Sequence, residues 1–451
     1  MWTLYILASF WTSHTMMSCS RCLISTMADI GTTRLSTRKQ VIRDVIRACS
    51  NLLHSFGNII AEIGAVRNYT AGKYLIRRAE DVQPSPGLAT GNNYTKSLPE
   101  YEGIIDLPTT YGTMLIRLLV LANTTEDLTA LHTYQNASHL TEINRTTTAS
   151  TTITKQVPVQ APYLRDLALN GTLLGIHTPA QQFEFAARLL PYNQPEIYSE
   201  RYRVATILAQ AGVYNGHYHP QAGVNLTEAA VIANASITAD VEAPEHIREL
   251  GNDWQLSIPS YQGNFGTHYA SAAYVALAGY QQQTVVQTLY PGYKSLGFTS
   301  MFTLEPNQAQ IWTFSGKPKL EKYGFWSLSL YGSDQYLIPN ELNRFEVGDR
   351  TYNLTYESGS NVYGPQANSS QDGPFQVLIQ RASTPPPDNW TSNWLPADDT
   401  FSFIRKLELL PWRKLISFAD YLIVRWYVPG DAQTNGTYVY PKIENVTAIS
   451  A

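Results

Sequence analysis

The polar residues best placed to act together follow one predicted hairpin in the C-terminal half of the chain. The string FWSLSLYGSDQYLIPNELNRFEVGDR, residues 325–350, alternates apolar with small residues, breaks at Gly-Ser-Asp and resumes before a proline, which is typical of a β-hairpin. Asn340, Asn343 and Arg344 follow the second strand, so we predict that they turn toward a cleft. Because arginine is always charged, we expect Arg344 to be substantially buried and paired with a carboxylate or backbone carbonyls.

A second candidate group surrounds His268, in the string NFGTHY. His268 precedes Tyr269 at the predicted start of a long helix, and an imidazole at a helix N-terminus can act as a general base. Asn264 lies four residues before it. His268 and Arg344 are therefore the catalytic candidates for a hydrolase- or lyase-like alternative. The commoner interpretation is that His268 caps and packs the helix.

Aromatic side chains near the hairpin offer flat surfaces for a sugar or another small ligand. The ligand-binding candidates are Asn264, Tyr269, Trp326, Tyr331, Tyr336, Asn340 and Asn343. Trp312 and Trp394 belong to the same aromatic set, and burial in a sandwich core is the competing interpretation for most of its rings. The first hypothesis for function is thus a cleft in the C-terminal β domain that binds a small molecule or a carbohydrate.

Carboxylates near the same strands leave a glycosidase-type pair open. They are Glu305, Glu321, Asp334, Glu341 and Asp349. Charged residues on the surface of hairpins are the commoner explanation for such a set.

Other catalytic and metal-binding patterns do not occur in the sequence. It has no Gly-x-Ser-x-Gly elbow, no glycine-rich phosphate loop and no His-Glu-x-x-His motif. His217 and His219 would share one face of a strand, but no further ligand is fixed near them, which favours ordinary loop histidines. Cys19 and Cys22 have the spacing of a zinc or redox pair without a second pair. We therefore predict no metal and no cofactor.

Composition indicates a globular protein with few charges. Of the 451 residues, 44% are hydrophobic, 12% aromatic and 15% charged, which is enough for a large core in two or three domains. A net charge of −4 without a basic stripe argues against nucleic acid as a partner. No stretch reaches the roughly 18 uninterrupted apolar residues of a membrane span. A small molecule or a glycan is the expected partner, and the oligomeric state is left open.

Asn-x-Ser/Thr triplets, the acceptors of N-linked glycans, are more frequent than the Ser and Thr content gives by chance. They begin at Asn68, Asn93, Asn123, Asn136, Asn144, Asn170, Asn225, Asn234, Asn353, Asn368, Asn389, Asn435 and Asn445. We therefore expect a secreted or cell-wall glycoprotein with most of these side chains exposed. Residues 1–10 (MWTLYILASF) have the length of a signal-peptide core, although no Lys or Arg precedes them. A cell-wall structural protein is the third function hypothesis.

Hydrophobic periodicity divides the chain into four regions. Residues 1–54 are signal-like and irregular, with a basic amphipathic helix pattern over 37–54. Residues 55–165 form a first domain, in which a buried strand precedes a helix capped by Thr124 or Thr125. Residues 166–296 form a helical connecting region.

The connecting region carries start and stop signals for several helices. Thr178-Pro179 predicts a capped helix, and another runs from Pro195 to a glycine at 212. A third follows Asn225, and the longest spans 267–289.

Residues 297–451 show short runs of period two, typical of a jelly-roll-like sandwich. The predicted fold class is α+β, mainly β: two β-sandwich-like domains joined by a helical middle segment.

Several of these strings carry a family resemblance. The hairpin string, NWLPA at 393–397 and VRWYVPG at 424–430 resemble the C-terminal domain of unknown function 1214 (DUF1214). Upstream, YEGIIDLPTTYGTMLIRLLV at 101–120 and the string ALAGYQQQTVVQTLYPGY resemble fungal members of its partner domain, DUF1254. The resemblance implies a mainly-β two-domain protein, often exported, whose activity is not established for the family as a whole.

Two departures from the family pattern stand out. The usual opening motif Pro-Asn-x-Asp-Thr-Leu-Tyr and a later Asp-Arg-Tyr run are absent, and the match begins near Phe56, so the first domain is truncated. The string IRKLELLPWRKLISFADYLI then separates FSF from VRWY, which the family pattern joins. We expect this insert, residues 404–423, to pack poorly, with Leu409, Trp412 and Phe418 outside the core.

Overall fold

The computed structural model divides the chain into two compact units. It describes residues 23–29, 38–42, 48–54, 57–64, 69–78, 87–90, 100–120, 124–138, 140–144, 162, 164–167, 178–277, 282–294, 301–302, 304–305, 307–332, 337–397 and 420–450. The first unit takes its described residues from Ser20–Thr238 and Gly263–Gln281, and the second from Ala239–Gln262 and Gln282–Ala451. The predicted connecting region, 166–296, is therefore divided between both units and is not a separate body.

The first unit contains two sheets. Its strands are β1 (Leu23–Asp29), β2 (Arg38–Ile42), β3 (Ala48–His54), β4 (Ile59–Gly64), β5 (Tyr74–Arg78), β6 (Gly87–Thr90), β7 (Gly103–Leu107), β8 (Gly112–Leu119) and β9 (Thr141–Asn144). Their orders are β1-β8-β3-β4 and β6-β7-β5-β2-β9. Ile76, Ile105 and Met114 are fully buried in the core between these strands.

The amphipathic helix predicted over 37–54 is wrong, because this stretch supplies β2 and β3. Val41 and Ile42 are β-branched, which disfavours a helix and suits a strand. In the structure β2 pairs with β5 and β9, so backbone hydrogen bonds from distant parts of the chain override the local helical period.

Helices complete the first unit. They are α1 (Thr125–Ala137), α2 (Leu164–Leu167), α3 (Pro179–Leu189), α4 (Tyr198–Gln210), α5 (Leu226–Val241) and α6 (Tyr269–Leu277), with a short hairpin of β10 (Val213–Tyr214) and β11 (His217–Tyr218). Thr178 caps α3 in the predicted place, in a capping box with Gln181, and Thr124 accepts the Asp127 N–H at the start of α1. These two predicted helix starts are confirmed. No helix among the described residues is long and apolar enough to cross a membrane.

The helix predicted over 267–289 is much shorter than expected. It covers nine residues, Tyr269–Leu277, and the chain later turns so that the Thr288 N–H bonds to the Thr284 carbonyl. Thr288 then pairs with Tyr427 in a strand. The β-branched residues Thr284 and Val285 favour this change, and strand pairing decides it.

The second unit is a β-sandwich with few helices. Its strands are β12 (Ile247–Gly251), β13 (Trp254–Ser257), β14 (Thr288–Leu289), β15 (Gly292–Tyr293), β16 (Met301–Phe302), β17 (Gln308–Phe314), β18 (Leu320–Tyr331), β19 (Glu346–Gly348), β20 (Phe375–Arg381), β21 (Trp394–Ala397), β22 (Asp420–Pro429) and β23 (Lys442–Thr447). Its helices are α7 (Asp388–Thr391) and α8 (Asp431–Asn435), with 3-10 turns at Pro244–His246 and Pro259–Tyr261.

Two sheets of this unit share one aromatic core. The first has the order β14-β22-β18-β19, with β16 also paired to β22, and the second has the order β21-β20-β17-β23. Trp326 and Trp426 from the first sheet pack with Trp312 and Phe314 from the second. A three-stranded sheet, β12-β13-β15, adds Trp254 to the same core. The fold class is confirmed as α+β and mainly β.

Residues 333–336, which include the start of the predicted second strand of the hairpin, lie outside the described residues. Next to them, Tyr331 forms an antiparallel bridge to Leu337, as the predicted hairpin requires. In addition, β18 pairs with β19, and with β22 continuously from Phe325 to Tyr331. The local signal did not show these two partners, because they lie further along the chain.

The insert predicted over 404–423 ends too late. Residues 420–423 belong to β22, where Leu422 and Ile423 are buried. These residues alternate between the two faces of the strand and so belong to the sandwich. Residues 404–419, with Leu409, Trp412 and Phe418, lie outside the described residues.

Gly348 allows β19 to approach β18 closely. A Cβ atom on Gly348 would lie 2.2 Å from the Trp326 carbonyl oxygen, which is backbone and has little room to move. We expect Gly348→Ala to lower the free energy of unfolding by roughly 2 kcal/mol or more, as overpacking does. Gly373→Ala is the matched control, because nothing lies within 4 Å of its added Cβ. Urea denaturation of both variants measures the difference, and equal stability would contradict the close approach.

Candidate functional site

The loop after β18 is closed by its own side chains. The Asn340 side chain accepts the Arg344 N–H at 3.0 Å and donates to the Arg344 carbonyl at 2.8 Å. The half-buried Arg344 guanidinium donates to the carbonyls of Thr391 and Trp394, the latter at 2.8 Å. The predicted pairing of Arg344 with backbone carbonyls is confirmed, and the contact ties this loop to β21. Asn343 is exposed in a left-handed conformation, with φ 48°.

His268 lies at the start of α6, in the first unit. Its N–H donates to the Phe265 carbonyl at 2.8 Å and its carbonyl accepts the Ala272 N–H. Tyr269 is buried, and its hydroxyl donates to Glu200. Burial is the larger cause and the Glu200 charge the smaller cause that together raise the Tyr269 pKa to about 12. Asn264 is exposed. The backbone contacts of His268 agree with the capping interpretation, and Arg344 belongs to the other unit.

The described members of the predicted aromatic set are buried: Trp312 and Trp326 in the sandwich core, Trp394 against Ala309 and Leu378, and Tyr331 on the opposite face of β18. Trp312, Trp326 and Tyr331 are each 1% exposed and Trp394 is 6% exposed. Trp326 and Tyr331 therefore do not form the walls of an open cleft, because alternation along β18 and the pairing with β22 bury both of its faces. Tyr336 lies outside the described residues.

Asp349 is the one predicted carboxylate that the described structure encloses. It follows Gly348, and its Oδ1 accepts the Trp326 backbone N–H at 3.0 Å. Burial raises the pKa of Asp349 from 3.8 to about 6, and the Trp326 N–H and the Arg350 charge only partly oppose this shift. By contrast, Glu305, Glu321 and Glu341 are exposed, and Asp334 lies outside the described residues. These carboxylates offer no support for a glycosidase-type pair.

A row of tyrosines connects Asp349 with the aromatic core: Tyr363, Tyr438 and Tyr440. The Trp326 indole N–H donates to the Tyr363 hydroxyl at 3.0 Å. Burial raises the Tyr363 pKa well above its usual value, and Asp349 and Tyr438 are among the groups that add to the shift. The Tyr438 and Tyr440 rings lie 5.1 Å apart, and both contact Trp426 edge-on.

Five side chains next to these rings have buried polar atoms without a hydrogen-bond partner in the described structure. We call them the inner polar cluster: Arg248, Trp426, Gln433, Tyr438 and Tyr440. The unpartnered atoms are Arg248 Nε, Trp426 Nε1, both side-chain polar atoms of Gln433 and the two tyrosine hydroxyls.

Contacts between its members place the inner polar cluster in one region. Arg248 donates from its other nitrogens to the carbonyls of Gln433 and Thr434. Its charge also acts on the Tyr440 hydroxyl, although burial is the larger effect and raises the Tyr440 pKa. Sequence patterns missed this cluster because its members are far apart in the chain; the alternation Tyr-Val-Tyr at 438–440 was the only local signal.

The paired histidines belong to the first unit. His217 Nδ1 is 3.2 Å from a Glu184 oxygen, and the His219 ring stacks on Tyr214 with centroids 4.2 Å apart. Within the part of the chain that the structure describes, no three His, Cys, Asp or Glu side chains meet in a way that could hold a metal ion.

The glycan acceptor side chains that the structure describes lie at the surface. Asn136, Asn225, Asn353, Asn368, Asn389, Asn435 and Asn445 are exposed, and Asn234, on α5, is half-buried. The side chains of Asn68, Asn93, Asn123, Asn144 and Asn170 are outside the described set. Exposure is what an attached glycan requires.

Two family models match the chain. DUF1254, a protein of unknown function, matches residues 48–142, and DUF1214, also a protein of unknown function, matches residues 303–409. The two models match in the paired order, DUF1254 before DUF1214. The resemblance in the sequence is thereby confirmed, and the DUF1254 domain is short, although its match begins at residue 48 and not near Phe56.

A solved structure shares the fold. It is the VPA0106 protein from Vibrio parahaemolyticus, at a TM-score of 0.54 and 14% sequence identity, covering 99% of this chain and 97% of that protein. At this identity the likeness concerns the fold alone. No functionally curated protein matches the chain.

The raised pKa of Asp349 gives a prediction for pH dependence. The folded state holds this proton more tightly than the unfolded state, so the stabilisation from protonation is complete below pH 3.8 and is lost as the pH rises to about 6. Asp349→Asn keeps an acceptor for the Trp326 N–H and cannot ionise. Relative to wild type, we expect the variant to gain about 3 kcal/mol between pH 4 and pH 7. Chemical denaturation across this range measures the difference; a gain that does not vary with pH would contradict the raised pKa.

Proposed function

We propose that this chain is an exported glycoprotein whose second unit binds a small, hydroxyl-rich molecule at the inner polar cluster. A sugar is the ligand class that fits best. The observation that carries the proposal is the group of unpartnered polar atoms around the Trp426, Tyr438 and Tyr440 rings.

The energetics of buried polar groups support a ligand. A buried polar group without a partner destabilises a fold by roughly 1–3 kcal/mol, and the inner polar cluster holds six such atoms. A core of apolar side chains would be more stable. A ligand that both donates and accepts hydrogen bonds would offset this penalty, and the hydroxyl groups of a sugar do both.

The types of side chain also suit a sugar. Gln433 offers a donor and an acceptor, Trp426 a donor, and the tyrosine hydroxyls can act in either sense. The aromatic rings add apolar surface for the C–H face of a pyranose.

The segment after α8 is the route of access. Val439 is 56% exposed, whereas its neighbours Tyr438 and Tyr440 are 8% and 1% exposed. Val439 therefore faces solvent, while the two tyrosines lie on the inner side of this segment. Gly436, in the left-handed region at φ 80°, precedes the segment and can act as its pivot.

A hydrolase- or lyase-like enzyme is the second candidate function. Asp349 is the observation that favours it, because a carboxyl with a pKa of about 6 can act as a general acid near neutral pH. Arg344 adds no support, since its guanidinium already donates to backbone carbonyls. Loss of turnover in Asp349→Asn with ligand binding retained would establish this candidate, and binding without turnover in the wild type would exclude it.

Tyr440→Phe tests the inner polar cluster. The substitution removes one unpartnered hydroxyl, so we expect the free energy of unfolding to stay constant or rise by about 1 kcal/mol. Tyr356→Phe is the matched control: its buried hydroxyl donates to the Gln371 carbonyl, and its loss should lower stability by about 1 kcal/mol. Denaturation with urea compares the two.

Titration of the same variants with glucose, mannose, galactose and N-acetylglucosamine tests the ligand class. We expect one of these sugars to bind the wild type, Tyr440→Phe to weaken that binding about tenfold, and Tyr356→Phe to leave it unchanged. Calorimetry gives the affinities. If none of the four sugars binds, or if both variants weaken sugar binding equally, the inner polar cluster holds water and not a sugar.

Glycosylation of the acceptor asparagines tests the proposal that the protein is exported. Seven acceptor side chains are exposed, and in one of them the Asn435 Oδ1 accepts hydrogen bonds from the Thr437 N–H and hydroxyl, which orders the triplet. We expect endoglycosidase treatment of protein secreted from a eukaryotic host to increase its gel mobility by the mass of several glycans. Asn435→Gln should remove one glycan from the pattern. A protein whose mobility does not change would sink the export proposal.

A further inference from the structure

A buried arginine lies on the face of β18 and β22 that points away from the aromatic core. Arg425 is 8% exposed and stands opposite Ser327 across the two strands. Its guanidinium carbon is 5.3 Å from the centre of the Tyr331 ring, and it hydrogen-bonds to Tyr331. Tyr427 and Tyr290 are its other close polar neighbours.

Strand alternation separates this face from the inner polar cluster. Trp326 and Leu328 point into the core together with Trp426. Ser327, Ser329 and Arg425 therefore point the opposite way. Ser329 is fully buried, and its hydroxyl has no hydrogen-bond partner.

Arg425 forms no ion pair with any carboxylate in the described part of the chain, unlike Arg77, which pairs with Asp106, and Arg203, which pairs with Glu200. Within the described ranges it also has no backbone carbonyl acceptors of the kind that the half-buried Arg344 has. A guanidinium stays charged and presents five N–H donors.

The charge of Arg425 is thus desolvated and has no anionic partner among the residues that the structure describes. Burying an unpaired charge is strongly unfavourable, so proteins rarely keep one unless something binds it. The Ser329 hydroxyl, unpartnered on the same face, is a second donor with no acceptor.

We propose that the face around Arg425 is a binding site for the carboxylate group of a small molecule, with Arg425 as the ion-pair partner and Ser329 as a further donor. A carboxylate matches the planar fork of a guanidinium with two parallel hydrogen bonds. One guanidinium suits one negative charge, and the nearby tyrosine rings suit an apolar body attached to it. This site goes beyond the proposed sugar site, from which it differs in face and in ligand chemistry.

Thermal unfolding and calorimetry of the full chain with acetate and benzoate test the proposal. Potassium chloride at the same ionic strength is the salt control, and phosphate and sulfate test for other oxoanions. We expect a saturable rise in Tm of the wild type with at least one carboxylate and none with chloride.

Variants assign that effect to the site. Arg425→Met should abolish the carboxylate effect and, without ligand, unfold at a Tm no lower than the wild type, because it removes an unpaired buried charge. Ser329→Ala should weaken carboxylate binding several-fold. Arg381→Met is the control that leaves binding unchanged, since Arg381 donates to the Leu304 carbonyl.

Three results would overturn the proposal: no carboxylate binds the wild type, phosphate or sulfate binds more tightly than both carboxylates, or Arg425→Met still binds. If Arg425→Met does not fold, the wild-type titration and Ser329→Ala decide alone, and unchanged affinity in Ser329→Ala then counts against the site. Tyr440→Phe, which alters only the sugar site, should leave carboxylate binding intact. The two proposals can therefore fail separately.

Discussion

The pairing of β18 with β22 determines the arrangement of the second unit. Seven consecutive pairs, from Phe325 with Tyr427 to Tyr331 with Tyr421, fix the register of both strands. A shift of β22 by one residue would turn all its side chains to the opposite faces. Trp426 would then leave the aromatic core, and Arg425 would enter it. The core and both proposed sites depend on this one register.

The sandwich combines a dense aromatic core with polar groups that do not improve its stability. Asp349 follows the glycine that lets β19 approach β18, and burial makes its charge unfavourable. The inner polar cluster likewise buries hydroxyl, indole and amide atoms that have no hydrogen-bond partner in the described structure. Charged or polar groups that destabilise a fold and lie together are the usual mark of binding and catalysis.

Local signals predicted some features well. The Thr178-Pro179 cap, the start of α1 at Thr124 and the β-rich C-terminal half are encoded within a few residues, and the structure has them. Residues 37–54 were assigned to the wrong class because their pairing partners lie far along the chain.

The candidate site was harder to predict for the same reason. Arg344 was correctly expected to need carbonyl acceptors, but a sequence does not show which carbonyls lie nearby. The sequence does not distinguish Asp349 from Glu321, because the two carboxylates differ in burial. Arg425 becomes a candidate only when the residues on both faces of its strand are known. Aromatic residues near a hairpin fit a core and a cleft equally well, and only the packing of the second sheet places Trp326 in the core.

The route of the chain between the two units has a consequence for synthesis. Residues 239–262 belong to the second unit, and the chain then returns to the first unit for residues 263–281. Within the second unit, Trp254 donates to the Pro441 carbonyl and Asn252 to the Tyr440 carbonyl, almost two hundred residues later. During synthesis, the partners of the segment with Trp254 therefore leave the ribosome only when nearly the whole chain has been made. Until then the apolar side chains of this segment stay exposed to solvent. A chaperone that shields this segment during translation would protect the second unit, whereas a break at one point between the units would not separate two independent folding bodies.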